Sequence, residues 1–251
     1  MTIADSSTNL DLGWTEQTIV AFTTGVLSDL DACVDEVESK LKRGTISATS
    51  TPTETQVKNW LKRYKMELAE IKRFTFNRKY ATATTTAGTY RYALPPDYNG
   101  GATRLRETSN DRYIKIWDSH WADMKYPNPA TESNNKPAIA YVKNMELWLM
   151  PPPDGAYTLE LEYDRSGAES DTDNFDWIPE LDRFRICDGA TAEAFESLHD
   201  FNSASIYSRK WAYGLGKAVK ADGKRKWSGC GYKAISIFQA RTMSQYQSLD
   251  D

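Results

Sequence analysis

The sequence predicts an α+β fold: a helix bundle with an inserted antiparallel β region and an extended C-terminal arm. Three observations predict it. Apolar residues recur at helical spacing from Ile19 to Leu41 and again from Val57 to Ile71. After Phe74 the period falls to two, and turns rich in Pro and Gly punctuate it. Helical spacing returns near Trp177. The predicted divisions are an N-terminal extension (1–14), the bundle (15–76 and 177–215), the β region (77–176) and the arm (216–251).

The first helix is expected over about 15–43. Ile19, Phe22, Val26, Leu30, Val34, Val37 and Leu41 form one stripe, and Gly44 is a plausible stop after Lys40, Lys42 and Arg43. A Ser/Thr linker leads to Thr53-Glu54-Thr55-Gln56, which has the spacing of a capping box. The second helix then carries Val57, Trp60, Leu61, Tyr64, Leu68 and Ile71 on one face. Strands are expected at Thr89–Leu94, Thr103–Glu107, Arg112–Trp117, Ala138–Val142, Glu146–Met150 and Tyr157–Tyr163, paired as consecutive hairpins. Lys143-Asn144-Met145 reads as a short connection, and Pro151-Pro152-Pro153-Asp154-Gly155 as a turn. Thr158, Glu160 and Glu162 alternate with Leu159, Leu161 and Tyr163, so one sheet face looks wet. Pro179 suits the first turn of the next helix. Gly189, Ala190, Ala192 and Ala194 would let another helix approach closely. A shorter helix is expected over Ser203–Tyr213, with no core element after it.

Composition excludes several classes. A chain of 251 residues buries roughly 70–75% of its extended surface, enough for a core without staples. No run approaches the ~20 apolar residues of a membrane-spanning helix. Met1–Leu12 lacks the basic n-region and apolar run of a secretory signal. Cys33, Cys187 and Cys230 are too scattered for a zinc site or a disulfide framework. Mean hydropathy is −0.63. With 8 Trp, 14 Tyr and 8 Phe, the chain has aromatic residues to spare for partner contacts.

Charge is segregated along the chain. Residues 1–50 carry 8 acidic and 3 basic side chains, and 159–182 carry 9 acidic and 1 basic. Residues 58–79 carry 8 basic and 2 acidic, and 205–235 carry 8 basic and 1 acidic. Alternating solvated faces would explain this. So would self-complementarity, in which copies pair head to tail. The net charge of −4 speaks against a protein that only binds DNA.

No catalytic, metal or cofactor constellation stands out. Gly214-Leu215-Gly216-Lys217 has the wrong spacing for a phosphate loop, and Ala218 follows the Lys. His120 sits near Asp118 and Asp123 but reads as scaffold, and His199 suits a helix C-terminus. Asp171 and Asp173 lie in a Ser/Thr/Asn stretch that reads as a loop, not a rigid acid–base pair. Ser205–Lys233 is different, because aromatic and basic residues interleave there. Its candidate partner-binding residues are Trp211, Lys217, Lys220, Lys224, Arg225, Lys226, Trp227 and Tyr232. Nucleic acid, an acidic protein surface and a solvated tail are the readings open for it.

Three features stand out: the helix pair ending in Trp60–Phe76, the run Ala87-Gly88-Thr89-Tyr90-Arg91-Tyr92-Ala93-Leu94-Pro95-Pro96-Asp97, and Pro137–Tyr141 followed by Leu147–Gly155 and Tyr157–Tyr163. Together they resemble the head–tail adaptor (connector) proteins of tailed bacteriophages. The resemblance covers about 15–213. It implies a structural virion protein of the head–tail neck, assembled in the host cytoplasm, with neither catalysis nor cofactor and no membrane. It implies a ring, usually of twelve copies, beneath the portal protein, with tail nozzle or hub proteins below and DNA only as cargo in the channel. In that reading the arm from Gly216 onward grips the portal. The alternatives are a tail nozzle or tail-terminator ring component, a glycan-binding or glycan-cleaving protein, and a DNA-binding module centred on the basic tail.

Overall fold

In a computed structural model of the chain, the described residues are 15–16, 27–167 and 175–228. The first of them, Thr15–Glu16, form a short strand, β1. The first helix therefore does not begin at residue 15. Leu27 has φ +65°, in the left-handed region where a helix cannot continue. Asp29 is extended, and its carboxylate accepts a hydrogen bond from Ala32 N at 2.8 Å. That N-cap starts α1 (Leu30–Leu41), which buries Leu30, Cys33, Val34, Val37 and Leu41. Ile19, Phe22 and Val26 lie outside the described residues. Lys42, at φ 54°, ends the helix by donating its N–H to Glu38 O, two residues before the expected Gly44.

The capping box forms in both directions. Gln56 N donates to Thr53 Oγ1 at 3.3 Å, and Thr53 N donates to Gln56 Oε1 at 2.9 Å. It opens α2 (Glu54–Ile71), whose buried stripe holds Val57, Leu61, Tyr64 and Leu68.

The strands are β2 (Arg78–Thr84), β3 (Arg91–Ala93), β4 (Arg104–Glu107), β5 (Arg112–Ile116), β6 (Ile139–Lys143), β7 (Glu146–Met150) and β8 (Thr158–Asp164). They form one sheet, in the order β1-β2-β8-β4-β5-β6-β7-β3. Strand β2 is absent from the sequence expectation, although Ala81 and Ala83 face inward between outward Tyr80, Thr82 and Thr84. Consecutive hairpins were expected throughout, but only β4–β5 and β6–β7 are hairpins. Strand β2 instead pairs with distant β8, β3 pairs with β7, and β5–β6 is parallel. The parallel pair is possible because a helix, α3 (Ser119–Lys125), and a 3₁₀ turn carry the crossover. Asn144 and Met145, both at positive φ, make the tight turn that matches strand twist.

The sheet curls around its own core. Ala81 of β2 and Tyr92 of β3 lie near opposite ends of the strand order, yet both join Leu105, Ile114, Leu147, Leu149, Leu159 and Leu161 in one buried cluster. On the other face, α3 covers Ile139, Tyr141 and Met150. Asp97, from the Leu-Pro-Pro-Asp turn, enters the β region. It meets Lys79 Nζ at 2.8 Å and accepts from Tyr163 Oη at 2.6 Å.

After the sheet come α4 (Glu180–Ser197) and α5 (Phe201–Ser228). Pro179 is the N-cap of α4. Helix α4 lies among the other helices: Cys187, Ala190, Ala194 and Phe195 join Val34, Val37, Leu61, Leu68, Trp211 and Ala218 in one core. Gly189 permits the closest approach, since a Cβ there would lie 2.6 Å from the Tyr64 ring. The last helix runs fifteen residues beyond the expected Tyr213.

Candidate partner-binding face on the last helix

Helix α5 extends because its inner stripe continues. Ala204, Trp211, Gly214, Ala218 and Asp222 are buried, at steps that keep them on one face. Gly214 rests against the Arg185 side chain, where a Cβ would come to 2.9 Å. Asp222, 1% exposed, accepts from Thr75 N at 3.0 Å and Thr75 Oγ1 at 2.5 Å, with Lys72 Nζ at 3.4 Å. Burial alone would raise its pKa. The bonds from Thr75 and Lys72 outweigh burial and hold the carboxyl below the ordinary range. Residues Gly216–Ser228, expected as part of an arm without core contacts, are thus helical, with Ala218 and Asp222 packed inside.

The opposite stripe is exposed. Ile206, Lys210, Tyr213, Lys217, Lys220 and Lys224 follow at steps of 4, 3, 4, 3 and 4. Lys210 Nζ lies 4.3 Å from the Tyr207 ring centre, and Lys217 Nζ lies 4.4 Å from that of Tyr213. Arg225 is also exposed. Burial first, and then the Arg225 charge, push the neighbouring Arg185 below the ordinary guanidinium range. The face is therefore strongly electropositive and suited to an acidic partner.

The structure divides the sequence-predicted residues. Lys217, Lys220, Lys224 and Arg225 are together on the exposed side. Trp211 is not there. It is 6% exposed, edge-on to Tyr64 at 5.0 Å, with its indole N–H 3.4 Å from Glu67. Its place in the inner stripe makes it core, which corrects the reading of Trp211 as a surface contact. Lys226 and Trp227 lie in the last turn of α5, and Tyr232 lies outside the described residues. Ile206, Lys210 and Tyr213 were missed. Their spacing was the available signal, hidden by the expectation that helix ended at Tyr213.

The other candidates resolve as scaffold. Asp118 caps α3 and accepts from His120 N at 2.9 Å, while Asp123 bridges to Lys143 at 2.6 Å. The Gly214–Lys217 segment is helix interior. Asp171 and Asp173 lie outside the described residues. Among the described residues, no group of three His, Cys, Asp or Glu could hold a metal ion. No helix there is long and apolar enough to cross a membrane.

The family model described as SU10 adaptor protein matches residues 28–232. The chain belongs to that family. It is thus a phage head–tail adaptor, and an adaptor's role is structural. The match takes in α1, the whole sheet from β2 onward, and α5. It runs four residues past Ser228, so the matched span takes in the whole of this chain's last helix. No curated protein matches this adaptor in sequence.

Proposed function

We propose that this adaptor forms a ring, of twelve copies, beneath the portal in the virion neck. The ring extends the DNA channel and offers the tail a docking surface. The family match over 28–232 carries the reading, and the electropositive end of α5 supports it. The C-terminal arm supplies the portal contact, through Lys220, Lys224 and Arg225 and on through Lys226, Trp227 and Tyr232. The β region is the tail-facing end. Trp121, Met124 and Met145, each more than 60% exposed there, suit an adaptable protein contact.

The test is negative-stain microscopy of the full chain mixed with the portal ring from the same genome. A second ring with the portal's rotational symmetry is expected. No association at any salt concentration overturns the reading. A chain ending at Ser228 should keep its fold, because it retains Ala218 and Asp222 in their packed positions. Having lost only Tyr232 of the proposed contacts, it should dock more weakly, and adding Lys220→Glu, Lys224→Glu and Arg225→Glu should abolish docking. Normal docking by the shortened chain carrying those three reversals would remove the arm from the mechanism.

A further inference from the structure

We propose that neighbouring copies pack side by side, with Lys210, Tyr213 and Lys217 on α5 of one copy against Asp31 and Asp35 on α1 of the next. The inference rests on the ring proposed for this adaptor and names its subunit contact.

Charge is the first argument. Helix α1 carries Asp31, Asp35, Glu36 and Glu38 against Lys40 alone. Asp31 and Asp35 are exposed, and Asp31 already meets Lys58 Nζ at 2.7 Å. Between 201 and 225, α5 carries Arg209, Lys210, Lys217, Lys220, Lys224 and Arg225, and its one acid, Asp222, is buried. Two α5 helices brought together by a two-fold axis would repel. An α5–α1 contact attracts, and it is heterologous, the kind that closes into rings.

Position is the second argument. Helices α1 and α5 occupy different sides of α4. Cys187 Sγ lies 3.9 Å from Cys33 O, and Asp188 meets Lys40 Nζ at 2.9 Å. Helix α5 instead meets α4 at Arg185, under Gly214, and at Phe195, stacked 5.5 Å from Tyr207. Among the described residues, α1 packs on α2 and α4, and α5 packs on α4, whereas α1 and α5 make no comparable contact with each other. The acidic and basic helices therefore flank α4 instead of covering each other.

Height is the third argument. Arg183 Nη1 bonds Leu27 O at 3.4 Å and Cys187 meets Cys33, so α1 runs parallel to α4. The Arg185–Gly214 and Phe195–Tyr207 contacts make α5 antiparallel to it. Asp31 and Asp35 thus lie level with Arg183–Asp188, as does the Tyr213–Lys217 turn, with Lys210 one turn away. Rotation about an axis parallel to these helices preserves height. It carries the acids of one copy to the level of the cations of the next.

The test is charge reversal in the full chain. Three variants are needed: Lys210→Glu with Lys217→Glu, Asp31→Lys with Asp35→Lys, and all four together. Self-association is read by sedimentation velocity at low salt, and ring occupancy on the portal by microscopy. Circular dichroism and melting confirm that each variant folds. Each double reversal should weaken assembly about tenfold or more, and the fourfold reversal should restore it. Assembly unchanged by the reversals, or not restored by the fourfold variant, overturns the contact. So does a wild-type chain that stays monomeric with and without portal. Portal docking lost while self-association persists would give the stripe to the portal instead. Self-association that obeys the reversals without any portal docking would sustain the contact and overturn the portal reading.

Discussion

Replacing Asp97 with Asn tests whether the Leu-Pro-Pro-Asp turn is held by charge. The Lys79 and Asp97 side chains are only 6% and 4% exposed, with Nζ and Oδ2 2.8 Å apart. Asn keeps the shape of Asp and can still accept from Tyr163 Oη, now 2.6 Å from Asp97 Oδ1. What it removes is the carboxylate charge 2.8 Å from a buried ammonium. Breaking such a pair from one side costs about 3–5 kcal/mol. A domain's total stability is about 5–15 kcal/mol, so the variant should be severely weakened. The assay is equilibrium unfolding in urea at constant m-value. Adding Lys79→Met to Asp97→Asn removes the ammonium as well, so the double variant should lose less than the sum of the single variants. A loss under about 1 kcal/mol for Asp97→Asn would refute the argument, because it would place the pair in the range of exposed bridges.

Trp211→Ala should destabilise the bundle by about 3–5 kcal/mol in the same assay, whereas an exposed contact residue would cost less than about 0.5 kcal/mol. Asp222→Asn should loosen the C-terminal half of α5, seen as faster amide exchange over 215–228 with the N-terminal half little changed. The Asp222 carboxyl has a folded pKa below its unfolded value. Its stabilisation is therefore full above the unfolded value, about 3.9 for Asp, and is lost as pH falls through the folded value. The Asp222→Asn variant should lack that part of the acid-unfolding curve, and an unchanged acid limb would show that the carboxylate does not hold the helix.

Local signals in the sequence were read well where a few residues decide the structure. The capping box at Thr53–Gln56, Pro179 before α4 and the strand Glu146–Met150 all appear as expected. The order of strands was not legible, because the β2–β8 pairing joins residues some 80 positions apart and no local pattern encodes it. The start of α1 was misread for another reason. An apolar stripe running back through Val26 outweighed Asp29, although Asp is among the strongest N-cap residues. Leu27 shows the break, but positive φ at a leucine leaves no mark in the sequence.

The last helix was misread by composition. Five basic residues and three glycines between Gly214 and Lys226 look like a solvated segment. Helical propensity supports that impression, since each glycine costs about 1 kcal/mol in a helix interior. Packing reverses it. Gly214 lets the backbone approach Arg185, Ala218 enters the core, and Asp222 is fixed by Thr75 and Lys72. The lysines are then left to the face that no other element covers among the described residues. The features that argued against a helix are therefore what one helix needs to be both part of the bundle and a cationic surface for a partner. A search for two opposed stripes, one small and apolar and one cationic, would have found this, where a search for apolar periodicity alone did not.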